Sequence, residues 1–278
     1  MEFFHTQTNI PFMQQRYFAF GFSALMITIS CLSILLYGLT MSLDFTGGHQ
    51  IELHFAKPVA IEHIRNTMHS SQNITIYTLG NAQNVLMKIP HSQDTKDSHK
   101  LRGHITKLFP EATIEQLTYI GPQIGTALLV DGVNAMIIAM LCTMVYIAIR
   151  FEYKFAIAAL VALLHDPIIT LGIFSFFQVE FDIISLAGIL TVLGYSLNDT
   201  IVVYDRIREN FNNEPNASVE TIVDRAINDT LSRTIITSGL TLLAVLSLCI
   251  FAGKTLWGFS LALAIGIIVG TYSSIYVA

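Results

Sequence analysis

Six long runs of apolar residues with almost no charge dominate this sequence and restrict its fold more than any other feature. A helix needs about 20 apolar residues to cross a bilayer core about 30 Å thick. Charged residues make up 13% of the chain, about half their share in soluble domains. We therefore expect a polytopic membrane protein with helical spans rather than a soluble enzyme. The predicted spans are 17–39, 132–149, 155–177, 183–204, 234–253 and 255–278.

The composition argues against several other classes of protein. A net charge of −5 and a pI near 6.0 provide no basic face, so we expect no nucleic-acid partner. All cysteines lie within apolar runs, and the histidine spacings match no metal template, so the sequence predicts no metal site and no cofactor. Gly253-Lys254-Thr255 resembles the end of a P-loop but lacks the preceding glycine. Since no catalytic motif is complete, we expect no enzymatic activity.

Basic residues in the short loops gather on one side of the predicted membrane. They are Arg16, Arg150, Lys154, Arg206, Arg208, Arg225 and Arg233, whereas Lys254 alone lies in a short loop on the other side. Because basic loops stay in the cytoplasm, we expect both termini there and the long loop outside, which in a Gram-negative host is the periplasm. The predicted organisation is a cytoplasmic N terminus with span one (1–39), an outer domain (40–124), and spans two to six (125–278) with a cytoplasmic loop at 205–233.

The outer domain and the cytoplasmic loop both show helical or strand-like patterns. In the domain, the period of the apolar residues switches between two and 3.6. The order β-α-β-β-α-β predicts a ferredoxin-like α+β domain, with strands at 50–55, 73–79, 84–89 and 112–119 and helices at 59–69 and 94–109.

In the predicted cytoplasmic loop, residues 219–227 have an apolar face. We expect either a helix along the inner membrane surface or a solvated connector.

Ionisable and polar side chains interrupt three of the predicted spans. A central charge in a membrane costs about 2.5 to 3.5 kcal/mol, so such groups are candidates for function. The spacing of Tyr195, Asn198 and Asp199 predicts one shared helix face, and Thr237 and Ser238 form a matching face on span five. Either these groups relay protons or they only hold helices together. The predicted relay residues are Asp199, Arg233, Asp166 and Asn198, supported by Tyr195, Thr237 and Ser238. An ion pair between Asp199 and Arg233 is also geometrically allowed.

Span six carries a small residue at every fourth position. The stripe consists of Ala262, Gly266, Gly270 and Ser274. Small residues at this spacing allow another helix to approach closely, so we interpret the stripe, and Gly266 and Gly270 in particular, as a packing surface.

Several residue strings carry a resemblance to a known family. They are Asp-Phe-Thr-Gly-Gly at 44–48, Gly-Pro-Gln-Ile-Gly at 121–125, Leu-His-Asp-Pro at 164–167, the long string from Gly194 to Asn210, and Leu-Ser-Arg-Thr-Ile-Ile-Thr-Ser at 231–238. Together with six spans and one outer domain, these strings resemble those of the SecF proteins. SecF belongs to the SecD/SecF family, which is part of the RND superfamily. The first two strings contribute the family residues Asp44, Gly47, Gly48, Gly121, Pro122 and Gly125.

This resemblance implies a six-helix RND-type module with a periplasmic domain between helices 1 and 2. It implies a non-enzymatic subunit that pairs with SecD, associates with the SecYEG channel and promotes proton-gradient-dependent export of preproteins across the inner membrane. Protons would be the coupling ion, and membrane lipid would surround the spans. It further implies that Asp199 and Arg233 take part in proton transport and that Asp166 is another recurrent polar position. Pro167 departs from the aliphatic residue expected after His-Asp.

Two other functions remain open at this point. The chain could be a half-module of an RND-type exporter, although such exporters are expected to repeat the six-helix module within one chain. It could also be a structural scaffold without proton coupling. Replacement of Asp199 by asparagine discriminates between a scaffold and a relay.

Overall fold

The computed structural model describes residues 9–68, 74–91 and 98–278. Within these ranges, six helices are long and apolar enough to cross a membrane, which confirms the predicted number of spans. The elements follow the chain as α1 (Arg16–Tyr37), α2 (Leu43–Thr46), β1 (Gly48–Phe55), α3 (Ile61–Thr67), β2 (Thr75–Thr78), β3 (Asn84–Pro90), α4 (Ser98–Leu108), β4 (Ala112–Ile120), α5 (Pro122–Arg150), α6 (Tyr153–Phe176), α7 (Ile183–Asn213), α8 (Val219–Phe251) and α9 (Trp257–Tyr276).

The small domain between α1 and α5 has the predicted ferredoxin-like arrangement. Its sheet has the order β2-β3-β1-β4, and every neighbouring pair is antiparallel. Alternate residues of β1 point to one face, where they pack with Ile64 of α3 and Ile105 of α4. The residues of β1 in this core are Ile51, Leu53 and Phe55. The predicted positions His69, Asn73 and Asp94 lie outside the described residues.

The segment 205–233, predicted to be a cytoplasmic loop, is mostly helical. Helix α7 continues to Asn213 and α8 begins at Val219, so only 214–218 separate the two helices. At 1.5 Å per residue these helices are about 46 and 50 Å long, well beyond a bilayer core of about 30 Å. The helix predicted to lie along the membrane surface is instead the first part of α8.

Packing between α7 and α8 explains this difference. The apolar face of 219–227 buries Ile222, Ala226 and Ile227 in one cluster with Val203 and Ile207 of α7. An apolar stripe of period 3.6 fits a neighbouring helix as well as a lipid surface, and here the helix is its partner. At the start of α8, the Ser218 hydroxyl accepts a hydrogen bond from the backbone N–H of Thr221.

Two glycine-containing strings meet where the outer domain joins the spans. Gly47 has φ = 77°, and a Cβ built there would lie 2.8 Å from the backbone nitrogen of Pro122. A Cβ on Gly125 would lie 2.5 Å from the carbonyl oxygen of Phe45. Only glycine permits this backbone at Gly47 and these close approaches. The close packing at the junction therefore depends on the glycines of both strings. Helix α5 begins at Pro122, so it starts inside the range 40–124 that was predicted for the domain.

A half-buried ion pair connects the domain to the turn between α6 and α7. The ammonium of Lys88 on β3 donates a hydrogen bond to Oε1 of Glu180 at 2.6 Å. Burial lowers the pKa of Lys88, but the hydrogen bond and charge of Glu180 outweigh this effect and leave the pKa above its ordinary value of 10.5. A raised pKa means that the pair stabilises the docked domain fully at neutral pH. The contribution of the Lys88 charge is lost as the pH rises beyond 10.5 and through the higher pKa of the folded state.

We expect Glu180→Gln to loosen the contact between the domain and this turn. The charge-assisted bond contributes about 1.5 to 3 kcal/mol, so backbone amides of β3 and of the turn should exchange with deuterium roughly tenfold faster or more. Glu62 on α3 is exposed, and Glu62→Gln is the matched control. Equal exchange rates in the two variants would show that the Lys88–Glu180 pair does not hold the domain.

Candidate functional site

Two buried aspartates lie inside the helical bundle, on neighbouring helices. Asp166 on α6 is fully buried, and Asp199 on α7 is 4% exposed. Helix α9 packs against α6, α7 and α8, and it contributes hydroxyl groups to the surroundings of both acids. The bundle therefore contains two separate polar clusters, which we describe in turn.

The Asp166 carboxylate is saturated with hydrogen bonds. His165 Nδ1 lies 2.9 Å from Asp166 Oδ1. The hydroxyls of Ser196 and Ser273 donate to Oδ2 at 2.6 and 2.9 Å. These contacts tie α6 to α7 and α9. A fully enclosed carboxylate with this many partners is well suited to fixing the helices in place.

The glycines of α9 allow this close packing. A Cβ on Gly270 would lie 3.0 Å from Cβ of Ser196 and 3.5 Å from Asp166 Oδ2. A Cβ on Gly266 would lie 2.1 Å from Cγ2 of Val192. A larger residue at Gly266 would collide with Val192 of α7, and one at Gly270 would press against Ser196. The geometry at Gly266 and Gly270 is that of a small-residue packing surface.

The Asp199 carboxylate has a much sparser environment. Ser238 on α8 donates a hydrogen bond to Asp199 Oδ2 at 3.3 Å. The Ser238 hydroxyl in turn accepts from Thr271 at 2.9 Å and from Tyr195 at 3.3 Å. Of the two supporting residues predicted here, Ser238 contacts the Asp199 carboxylate, and the Tyr195 hydroxyl contacts Ser238. Because one hydroxyl contacts the carboxylate, this acid is much less constrained than Asp166.

The predicted pair between Asp199 and Arg233 is not formed within the described residues. Arg233 is exposed on α8, and no nitrogen of its side chain lies within 4.0 Å of an Asp199 oxygen. Its charge still acts electrostatically on Asp199. The Thr237 hydroxyl bonds to the Arg233 carbonyl of its own helix at 2.9 Å rather than to Asp199.

Asn198 does not share the face of Asp199. Asn198 is exposed whereas Asp199 is buried. Consecutive residues of an α-helix with 3.6 residues per turn point about 100° apart, and here Asp199 points into the bundle whereas Asn198 points to the surface of this chain. Asn198 therefore has no contact with the Asp199 cluster within this chain, and its part in a relay stays a prediction. Asn198 and Arg233 lie instead on the outer surface of this chain.

The serines and the threonine that complete the two clusters were missed by sequence analysis. They are Ser196, Thr271 and Ser273. Hydroxyl residues are frequent in spanning helices, so their presence alone carries little information. The available signal was their position, since Ser196 is one turn before Asp199 and Ser273 is three residues after Gly270.

The two clusters consist of carboxylate, imidazole and hydroxyl groups. In the ranges 9–68, 74–91 and 98–278, no group of three His, Cys, Asp or Glu side chains could hold a metal ion. Of the two buried acids, Asp199 has the fewer hydrogen bonds, with one from Ser238.

Comparison with known families identifies the chain's relatives. The family model described as "Protein export membrane protein SecD/SecF, C-terminal" matches residues 100–278. The chain belongs to the SecD/SecF family. A second family model, described as "SecD/SecF GG Motif", matches residues 32–59, which include Gly47 and Gly48. The resemblance noted from the sequence is thereby confirmed.

Individual SecF proteins resemble the chain over nearly its whole length. Protein translocase subunit SecF of Vibrio alginolyticus is 42% identical, and the match covers 98% of this chain and 88% of the relative. The corresponding protein of Escherichia coli O157:H7 is 37% identical over 99% of this chain and 87% of the relative.

A solved structure shares the same fold. SecDF from Thermus thermophilus, described as a translocon-associated membrane protein, matches with a TM-score of 0.83 and 34% identity. The match covers 99% of this chain but only 38% of the SecDF chain. This chain thus corresponds to one part of a larger SecDF molecule.

Proposed function

We propose that this chain is the SecF-type subunit of a Sec preprotein translocase. It acts with SecD and the SecYEG channel to promote proton-gradient-dependent protein export across the inner membrane. The observation that carries this proposal is the buried Asp199, bonded to Ser238 on the neighbouring helix. Membership of the SecD/SecF family supports it.

A partner subunit follows from the polar surface beside Asp199. Arg233 and Asn198 are exposed on this chain. A charged side chain in lipid costs about 2.5 to 3.5 kcal/mol, so another protein surface should cover this region. We assign that surface to SecD. This chain covers only 38% of the matched SecDF chain, so most of that SecDF chain lies outside the match and could supply the covering surface.

The proposed proton step uses Asp199 as the carrier. When Asp199 is ionised, its carboxylate attracts the Arg233 guanidinium and accepts the Ser238 hydrogen bond. When a proton binds, the attraction to Arg233 disappears, and α8 is free to shift relative to α7. One charge that crosses 100 mV yields about 2.3 kcal/mol, which is enough to bias two helix arrangements. Asp166 retains its bonds to α7 and α9 in both states.

The orientation follows from the distribution of basic residues. We place the ends of α7 and α8 near 214–218 in the cytoplasm, together with both termini, and the ferredoxin-like domain in the periplasm. There the domain would contact the emerging preprotein. The chain carries out no catalytic chemistry in this proposal, since its polar groups only bind and release protons.

Site-specific photo-crosslinking tests the partner assignment. We expect p-benzoylphenylalanine at Asn198 to form an adduct with SecD, and SecYEG to co-purify in mild detergent. The control is the same side chain at Leu35 on α1, which is 82% exposed on an apolar surface. Adducts with SecD at neither position, or equally at both, would contradict the assignment of this surface.

A further inference from the structure

The two halves of α8 are held very differently within this chain. We call 219–238 the inner half and 239–251 the outer half, in the orientation proposed above. Seven of the eight buried residues of α8 belong to the inner half, and Val245 is the one in the outer half. The outer half exposes mainly apolar side chains, among them Leu240 and Ile250. It can therefore move in lipid while breaking few buried contacts with this chain.

The side chains of Asp224 and Asn228 hold the inner half of α8 against the main chain just before α1. Asp224 accepts a hydrogen bond from the backbone N–H of Met13 at 2.8 Å. Asn228 accepts from the backbone N–H of Ile10 and donates to its carbonyl oxygen, both at 2.9 Å. Phe12, which is 6% exposed, packs in the same apolar cluster as residues of the inner half and of α7. The inner half is therefore anchored both by α7 and by this segment.

The residues between the two halves favour a bend in the helix. Ser238 and Gly239 form a serine–glycine pair, which is a common place for a kink. The hydroxyl of Thr237 bonds to the carbonyl oxygen of Arg233, and that of Thr241 bonds to the carbonyl oxygen of Thr237. Such bonds to the preceding turn weaken a helix slightly and often bend it. Among the described residues, no atom lies within 4 Å of a Cβ built on Gly239, so packing in this chain does not require glycine there.

We propose that α8 is hinged at Ser238–Gly239 and that only its outer half swings when Asp199 binds or releases a proton. The Ser238 hydroxyl, which donates a hydrogen bond to Asp199 at 3.3 Å, lies at the hinge itself. A bend of about 10° there would displace Ile250, about 16 Å further along the helix, by about 3 Å. The inference rests on the proposed function for its trigger and adds which part of α8 moves.

The outer half of α8 leads into a turn that lies beneath the outer domain. Lys254 and Thr255 of this turn line a cleft of about 470 Å³, and Tyr77 and Lys88 of the sheet line it as well. A swing of the outer half would change the width of this cleft. The hinge thus connects the protonation of Asp199 to the outer domain.

Distances between spin labels test the hinge in the chain reconstituted with SecD. The three native cysteines are first replaced by alanine. One label pair joins Ile250 on the outer half to Leu35 on α1, and the other joins Val219 on the inner half to Tyr17 on α1, all of them exposed positions. Double electron–electron resonance is recorded on vesicles frozen with a proton gradient and after its dissipation. We expect a change of about 3 Å in the outer pair, no change in the inner pair, and no change in either pair of Asp199→Asn.

A stiffened hinge provides a second variant. Gly239→Ala introduces no clash and should lower the population of the bent state about two- to fivefold, because alanine favours a regular helix over glycine. Gly21→Ala on α1 is the matched control, since a Cβ there also has no described atom within 4 Å. It should leave the distance change in the outer pair as it is.

Three results would overturn the hinge. Equal changes in the inner and outer pairs would show that α8 moves as one rigid body, and Asp199 could still be the proton carrier. A change that persisted in Asp199→Asn, or no change in either pair, would likewise contradict the proposal. Equal effects of Gly239→Ala and Gly21→Ala would exclude Gly239 as the hinge. The proposed function is tested separately, by whether gradient-dependent export requires Asp199.

Discussion

Replacement of Asp199 by asparagine is expected to reduce export to its gradient-independent level while the protein remains assembled. Asparagine is nearly isosteric and can still accept the hydrogen bond from Ser238, so the packing of α7 against α8 should persist. It cannot gain or lose a proton in the relevant range. Export by inner-membrane vesicles, measured with and without a proton gradient, gives the result directly.

Asp205→Asn is the matched control for this experiment. Asp205 lies on the same helix, is exposed, and approaches Arg150 only at 3.8 Å. We expect this variant to export normally, since surface ion pairs contribute little. If Asp199→Asn exported as well as Asp205→Asn, the chain would be a scaffold and the relay would be excluded.

Replacement of Asp166 by alanine is expected to destabilise the bundle itself. The change leaves His165, Ser196 and Ser273 without their shared acceptor in a buried site. Ser273 keeps its bond to the Gly270 carbonyl, whereas His165 and Ser196 lose their acceptor. Each unsatisfied buried group costs about 1 to 3 kcal/mol, so the free energy of unfolding should fall by about 2 kcal/mol or more. Denaturant titration in detergent micelles measures this loss.

Asp131→Ala is the control for the stability measurement, because Asp131 is exposed on α5. We expect its unfolding free energy to stay close to that of the unmodified protein. Asp166→Asn separates a packing role from a proton-carrying role. A stable Asp166→Asn variant that had lost gradient-dependent export would indicate that Asp166 carries protons, contrary to the role assigned here.

The architecture was largely predictable from local patterns in the sequence. Charge-free runs of sufficient length indicate spans whatever their neighbours are, and all six are present as helices. The switch between periods of two and 3.6 likewise predicted the strand and helix order of the outer domain. These signals depend on the pattern of apolar residues within one element, and that pattern can be read directly from the sequence.

Contacts between elements were harder to predict. The apolar face at 219–227 has the same period whether it meets lipid or α7, so the extension of α8 could not be derived from the pattern. Ser196 and Ser273 acquire their importance only because α9 approaches α7 at Gly270. Similarly, the separation of Asn198 from Asp199 depends on how α7 is rotated within the bundle.

Infrared difference spectroscopy of the chain reconstituted with SecD is the most direct test of proton binding by Asp199. Spectra recorded as a proton gradient is imposed and then dissipated should show one carboxyl band that appears and disappears. We predict that Asp199→Asn removes this band and that Asp166→Asn leaves it in place. A band that persisted in Asp199→Asn, or that disappeared only in Asp166→Asn, would contradict the assignment of Asp199 as the proton carrier.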